Sequence, residues 1–168
     1  MKQDTEVGRS AAQSGTGDNE LLQLVSFKIG GEEFGVDILR VQEINRMMDV
    51  TKIPNAPSFV DGVINLRGKV IPVIDLRSRL GMERKERDTN TRIVVIEVHR
   101  RIVGFVVDSV SEVLRIPRSV TEPPPSIAGG VNEDYITAVG KLEDRLLILL
   151  DLERILRPDE SEPFEQAA

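Results

Sequence analysis

The side chains that could take part in catalysis are few and scattered along the chain. Hydrolysis through an activated serine needs a base within hydrogen-bonding distance of the nucleophile, and the usual base is histidine. The chain has one His and no Cys, so cysteine nucleophiles, thiolate metal sites and disulfides are excluded. The single His99 precedes Arg100 and Arg101 in a predicted hairpin turn, and we interpret it as a solvated turn residue. No catalytic residue is predicted.

Four carboxylates each follow an apolar run: Asp37, Asp75, Asp108 and Asp151. Such residues could form a paired-carboxylate enzyme site or a metal site. We favour a structural interpretation, in which each side chain accepts hydrogen bonds from nearby backbone N–H groups or caps the segment that follows. The chain has no D-x-D-x-D-G loop and neither of the glycine-rich phosphate-binding patterns. No metal and no cofactor are therefore predicted.

In the stretch from Val41 to Gly81, two charged residues are singled out by their positions. Glu43 lies between apolar Val41 and Ile44, and Arg67 lies at the tip of a predicted hairpin. From the residues alone, Arg67 is either a solvated turn residue or, beside an apolar groove, a binding anchor of the type enriched at interfaces.

The elements that must position these residues are mostly strands. Apolar runs rich in Val, Ile and Leu alternate with turn signals from Leu21 onward, as is typical of an all-β domain. Two short helices are expected, Leu76–Leu80 and Leu152–Leu156. Four hairpins are predicted, with turns at Gly30-Gly31, Arg67-Gly68-Lys69, His99-Arg100-Arg101 and Glu143-Asp144-Arg145.

The hairpins that turn at Arg67-Gly68-Lys69 and at Glu143-Asp144-Arg145 are copies of one pattern at a shift of 76 residues, VINLRGKVIPVIDLRSRL and VGKLEDRLLILLDLERIL. The other two hairpins match more loosely, with Phe34–Asp37 aligned on Phe105–Asp108 at a shift of 71. A duplicated unit of this size predicts two similar lobes packed on one another. The joint between them should be apolar, and a groove beside it is a natural binding place.

Charge and composition exclude further classes of function. The net charge is −6, but residues 1–20 and 157–168 carry −5 of it, so the body is nearly neutral. Without a basic surface, and with aromatics at 4%, a small-barrel nucleic-acid-binding module is disfavoured. No apolar run is long enough to span a bilayer and no signal peptide is present. The sequence therefore predicts a cytoplasmic protein without direct membrane insertion.

The stretch from Glu43 to Gly81 resembles a known family. It carries E-I, I-P-x-x-P, G-V-I-N-L-R-G and P-V-I-D-L-R-x-R-L-G in order, followed by RIVVIEV, VGFVVDSVSEVL, PPP and YITAVGKLEDRLLILLDLERIL. These motifs are similar to those of CheW-type chemotaxis coupling proteins and cover nearly all of residues 21–157. The regulatory domain of CheA-type kinases shares this fold, so a piece of such a kinase is the nearest alternative within the resemblance.

The resemblance implies an all-β fold of two intertwined, five-stranded SH3-like barrel lobes related by duplication. One lobe is expected to be centred on residues 30–85 and the other on 91–150, within a CheW-like domain of residues 21–157. Residues 1–20 and 158–168 are predicted to be disordered tails.

The resemblance also implies function. The chain is expected to be a non-enzymatic adaptor that couples the cytoplasmic tips of chemoreceptors to the regulatory domain of a CheA-type histidine kinase, with membrane association only through receptors. An adaptor of a non-flagellar chemosensory pathway is the alternative. In the family a helical hairpin of the receptor lies in the groove between lobes. The positions that match partner-binding residues are Val41, Glu43, Ile44, Gly62, Arg67 and Val113.

Overall fold

The computed structural model describes residues 20–125 and 135–156. Within them no helix is long and apolar enough to cross a membrane. The predicted tails, apart from Glu20, lie outside the described residues. The strands are β1 (Leu21–Ile29), β2 (Glu32–Asp37), β3 (Val41–Arg46), β4 (Val60–Leu66), β5 (Lys69–Asp75), β6 (Arg92–Val98), β7 (Arg101–Val107), β8 (Ser109–Pro117), β9 (Thr121–Glu122), β10 (Ile136–Lys141) and β11 (Leu146–Leu150).

Helical structure in the described residues is short. Helix α1 (Leu76–Arg79) follows β5 and helix α2 (Leu152–Ile155) follows β11, in agreement with the two predicted helices. Single 3-10 turns at Ile38–Arg40 and Arg118–Val120 follow β2 and β8.

The strands form two sheets. The first sheet has the order β8-β1-β2-β11-β10-β9, and the second has the order β3-β6-β7-β5-β4. This confirms the predicted all-β fold with two SH3-like lobes. The first sheet has six strands instead of five because the two-residue strand β9 pairs with β10.

All four predicted hairpins are present, and three have two-residue turns with positive φ at both positions. These are Gly30-Gly31 (φ 61° and 85°), Arg67-Gly68 (52° and 86°) and His99-Arg100 (50° and 67°). Two residues with positive φ give the turn whose twist matches that of the flanking strands. The hairpin β6–β7 therefore forms without a glycine in its turn.

The hydrogen-bond registers correct the shift that was predicted between the hairpins β1–β2 and β6–β7. In the first sheet Leu149 pairs in parallel with Gly35, and in the second sheet Val73 pairs in parallel with Gly104. The shift of 76 is confirmed by the pairs Val63 with Pro72 and Val139 with Ile148. Leu149 and Val73 are therefore equivalent, so the two glycines are equivalent as well, and the shift between these hairpins is 69, not 71. The same shift superimposes the turn Gly30-Gly31 on His99-Arg100.

The two sheets exchange hairpins between the sequence copies. The first sheet combines β1 and β2 from the first copy with β8, β10 and β11 from the second. The second sheet combines β6 and β7 from the second copy with β3, β4 and β5 from the first. Residues 30–85 and 91–150, predicted as the centres of the two lobes, therefore each supply strands to both sheets.

The largest apolar cluster lies between the sheets. It joins Phe27 and Phe34 of the first sheet to Ile74 and Phe105 of the second, and Leu152 of α2 packs into the same cluster. The two phenylalanines of the first sheet stack, with ring centroids 5.9 Å apart. Smaller clusters fill each lobe. Burial of this shared core stabilises both sheets together.

Candidate functional site

The four strand-ending carboxylates have the predicted structural role. Asp37 accepts from Leu39 N at 2.9 Å, Asp75 from Arg77 N at 3.1 Å, and Asp151 from Glu153 N at 3.0 Å. Each caps the 3-10 turn or helix that follows its strand. In each case Oδ1 is the atom that accepts the capping hydrogen bond.

Asp108 connects the two sheets. Its carboxylate accepts from Gly30 N at 2.9 Å, in the turn of the first sheet, and from Nε and Nη2 of Arg77 on α1, each at 2.9 Å. Burial by itself raises the pKa of Asp108, but the hydrogen bonds from Arg77 and Gly30 outweigh it and hold the pKa below its ordinary value. Sequence reasoning did not find the Arg77 contact, which spans 31 residues.

His99 differs from its prediction. It lies in the β6–β7 turn, as expected, but its ring is half-buried and packs toward the end of α2. Its Nε2 lies 2.8 Å from Leu156 O, where Nε2–H donates to the carbonyl, and its Nδ1 lies 3.9 Å from Glu153 Oε1. His99 is therefore a packing contact instead of a solvated turn residue. Among residues 20–125 and 135–156, no group of three or more potential ligands could hold a metal ion.

Glu43 and Arg67 form an ion pair on the second sheet. Glu43 lies on the edge strand β3, and the β4–β5 turn brings Arg67 to it from the opposite edge, with Arg67 Nη1 at 3.1 Å from Glu43 Oε1 and Nη2 on Oε2. Asn45 Nδ2 also donates to Oε1 at 2.9 Å. These bonds, Arg67 first, lower the pKa of Glu43, and Glu43 raises the pKa of Arg67. Val41 and Ile44 lie on the same strand, half-buried and exposed respectively.

Gly62 sets the backbone of the edge strand β4. Its φ is 148°, and a Cβ at this position would lie 2.2 Å from Thr51 O. The close approach allows Thr51 and Val63 to exchange two backbone hydrogen bonds of 2.9 and 2.8 Å, which attach the chain after β3 to the edge strand β4. Gly62 is therefore required for the closure of the second lobe, and it contributes to the site through its backbone.

Val113 is apart from the other predicted residues. It lies on β8 of the first sheet with 55% of its surface exposed. At the shift of 69 it is equivalent to Ile44, and V-S-E-V at Val110–Val113 repeats V-Q-E-I at Val41–Ile44. Both copies have a β-bulge after the first valine. This repeated four-residue motif is the sequence signal that relates the edge strand β3 of the second sheet to the edge strand β8 of the first.

A groove of about 500 Å³ opens between the sheets beside the shared core. Strands β1, β2, β6, β10 and β11, the turn after β2 and helix α2 all contribute to it. Its floor is apolar, and Leu39 projects at its rim with 89% of its surface exposed. The lining includes Arg40, the residue that precedes the edge strand β3 on which Glu43 lies. Sequence reasoning expected a groove at the joint, but none of the predicted binding residues lines it.

The comparisons with known proteins identify the family. A family model described as the CheW-like domain matches residues 23–160. The chain belongs to the CheW-like family. A chemotaxis protein CheW of Klebsiella aerogenes is 42% identical over 138 residues, which cover 82% of this chain and 83% of that protein. A chemotaxis protein CheW of Helicobacter pylori is 35% identical and covers 89% and 90% of the two chains.

A solved structure agrees with these relatives. The scaffolding protein TtCheW from Thermoanaerobacter tengcongensis superimposes on this CheW-like chain with a TM-score of 0.77 and 34% identity, covering 85% of this chain and 97% of that one. This CheW-like chain is accordingly an adaptor of chemotaxis signal transduction. Of the predicted site residues, the fold pairs Glu43 with Arg67 and places Val41 and Ile44 on the same strand as Glu43. Gly62 lies on β4 of the same sheet, and Val113 lies on the other sheet.

Proposed function

We propose that this chain couples the cytoplasmic signalling tips of chemoreceptors to the regulatory domain of a CheA-type histidine kinase, in the cytoplasm and without catalysis of its own. The observation that carries the proposal is the shared apolar core, which holds the groove and the Glu43–Arg67 edge in a fixed relation. A coupling protein needs separate contact surfaces on a rigid frame, so that the geometry of one partner is transmitted to the other.

The groove is the proposed site for the receptor. It is long, apolar at its floor and open to solvent, and it is bordered by an exposed leucine, Leu39. An amphipathic helix buries its apolar face in a groove of this kind. Membrane association would then occur only through the receptor.

The second sheet carries the proposed contact around Val41, Glu43, Ile44 and Arg67. Arg67 is 70% exposed while its partner Glu43 is 25% exposed, so the guanidinium has donors free on its outer side. Ile44, the next residue on the strand, adds an exposed apolar side chain on the opposite face of this edge strand. An exposed arginine whose guanidinium is oriented by an ion pair is a favourable interface anchor. Val113 is proposed as the corresponding contact on the first sheet.

Replacement of Arg67 by alanine tests this contact. Because the side chain is exposed and lies outside the apolar clusters, we expect Arg67→Ala to leave the thermal midpoint nearly unchanged and to weaken partner binding by about tenfold or more. Lys69→Ala is the matched control, since Lys69 lies on the same hairpin and carries the same charge but has no part in the pair with Glu43.

The measurement is a binding titration of each variant with a purified receptor signalling fragment and, separately, with the kinase regulatory domain. A loss specific to Arg67→Ala with one of these partners supports the contact and shows which partner it serves. Equal binding by Arg67→Ala, Lys69→Ala and the unmodified chain with both partners would disprove a role for Arg67 in coupling.

A further inference from the structure

The groove between the sheets has an acidic rim. Its lining includes five carboxylates and two arginines: Glu20, Asp37, Glu97, Asp151, Glu153, Arg40 and Arg118. Both arginines are already paired, Arg40 with Glu153 at 2.8 Å and Arg118 with Glu20 at 2.9 Å. The cations of the groove are therefore engaged, and the remaining charge of its lining is negative.

Two of the remaining carboxylates, Asp37 and Glu97, are exposed at the rim. Asp37 accepts from Leu39 N at 2.9 Å, and Glu97 accepts from Gln42 Nε2 at 3.4 Å, so both are held by neutral donors. Among the described residues neither forms an ion pair. Their charges are available to a ligand in the groove.

We propose that the groove selects a helical receptor segment whose apolar face is bordered by lysine or arginine, and that Asp37 and Glu97 are the residues that recognise these cations. The inference rests on the proposed receptor site and specifies the chemistry of its ligand. Buried apolar contact with the floor supplies affinity, and the rim charges steer the partner and fix its register. An acidic helix would be repelled by the carboxylates at the rim, and the arginines of the lining, which are already paired, would not compensate. A neutral helix would make no charge contact at the rim.

Charge removal without a change of shape is the direct test. In Asp37→Asn the amide oxygen can still accept from Leu39 N, since Asn and Asp cap equally well. Glu97→Gln changes an exposed strand residue that caps nothing, so it remains informative if Asp37→Asn unfolds part of the chain. Glu83→Gln combined with Glu86→Gln is the matched control, because it removes the same charge from an exposed segment outside the groove lining.

The assay is calorimetric titration with a purified receptor signalling fragment at about 50 mM and about 300 mM salt, where screening lengths differ more than twofold. Two exposed ion pairs are worth about a 2- to 30-fold change in affinity. We expect the double variant Asp37→Asn with Glu97→Gln to bind that much more weakly at low salt and to lose most of its deficit at high salt. The control variant should bind like the unmodified chain.

Leu39→Ala separates this inference from the function on which it rests. If Leu39→Ala weakens binding while the double charge variant does not, the receptor occupies the groove but the charge inference is wrong. If neither variant changes the affinity, the receptor does not occupy the groove, and both proposals fail. Tighter binding by the double charge variant would show an acidic partner and would also overturn the inference.

Discussion

The loss of stability on replacing Gly62 can be estimated directly from interatomic distances. In Gly62→Ala the new Cβ would lie 2.2 Å from Thr51 O, so the backbone exchange between Thr51 and Val63 must open. Two backbone hydrogen bonds are worth about 1–3 kcal/mol net, and a non-glycine residue at φ 148° costs about 1–3 kcal/mol more. The free energy of unfolding should therefore fall by about 2–6 kcal/mol.

Gly68→Ala is the matched control for this prediction. Gly68 also has a positive φ, 86°, but nothing lies within 4 Å of a Cβ at that position. Its cost is therefore conformational strain alone, about 1–2 kcal/mol. Urea denaturation followed by circular dichroism measures both variants, and hydrogen exchange should show faster opening at Thr51 and Val63 in Gly62→Ala only. Equal destabilisation by the two substitutions would refute the argument that the close approach to Thr51 closes the second lobe.

Two further predictions concern the joint between the sheets. Asp108→Asn should cost about 1–3 kcal/mol at neutral pH, because Arg77 loses its charged acceptor. Since the pKa of Asp108 is lowered on folding, its contribution to stability is present above its ordinary pKa and is lost as the pH falls below about 4. The free energy of unfolding should therefore depend less steeply on pH in this acid range in the variant. The same pH dependence in the variant and the unmodified chain would contradict this. Phe105→Ala should lower the free energy of unfolding by about 3–5 kcal/mol, and both lobes should still unfold in one transition. Unfolding curves from Tyr135 fluorescence and from circular dichroism should therefore coincide. Two separate transitions would contradict a shared core.

Local features could be read from the sequence because their causes are local. An apolar run followed by aspartate and then a short amphipathic segment predicts a capped helix, and Asp75 and Asp151 cap their helices as expected. The strands and hairpins follow equally from alternation and turn chemistry.

Register and strand exchange could not be read in the same way. Alignment on Phe34 and Phe105 gave a shift of 71, although hydrogen bonding gives 69. A slip of two residues keeps every side chain on its face of the sheet, so the apolar pattern is the same for both shifts. Which hairpin inserts into which sheet is decided by pairing between distant segments, such as β2 with β11, and the sequence carries no local signal for it.

The site was only partly predictable for a related reason. Glu43 and Arg67 were named separately, but their ion pair spans 24 residues and depends on closure of the second lobe. Leu39 and Glu97 were not identified, because their position at the groove follows from the way in which the two sheets meet. Val113 is on a separate edge, and only the corrected shift of 69 relates it to Ile44.

The central claim is that one rigid chain holds two partners at once through different surfaces. The most direct test is formation of a ternary complex from the chain, a receptor signalling fragment and the kinase regulatory domain, measured by size-exclusion chromatography with light scattering. The proposed function predicts a complex that contains all three, and prior saturation with the receptor fragment leaves kinase binding intact. Mutually exclusive binding, in which the receptor fragment displaces the kinase domain, would contradict it.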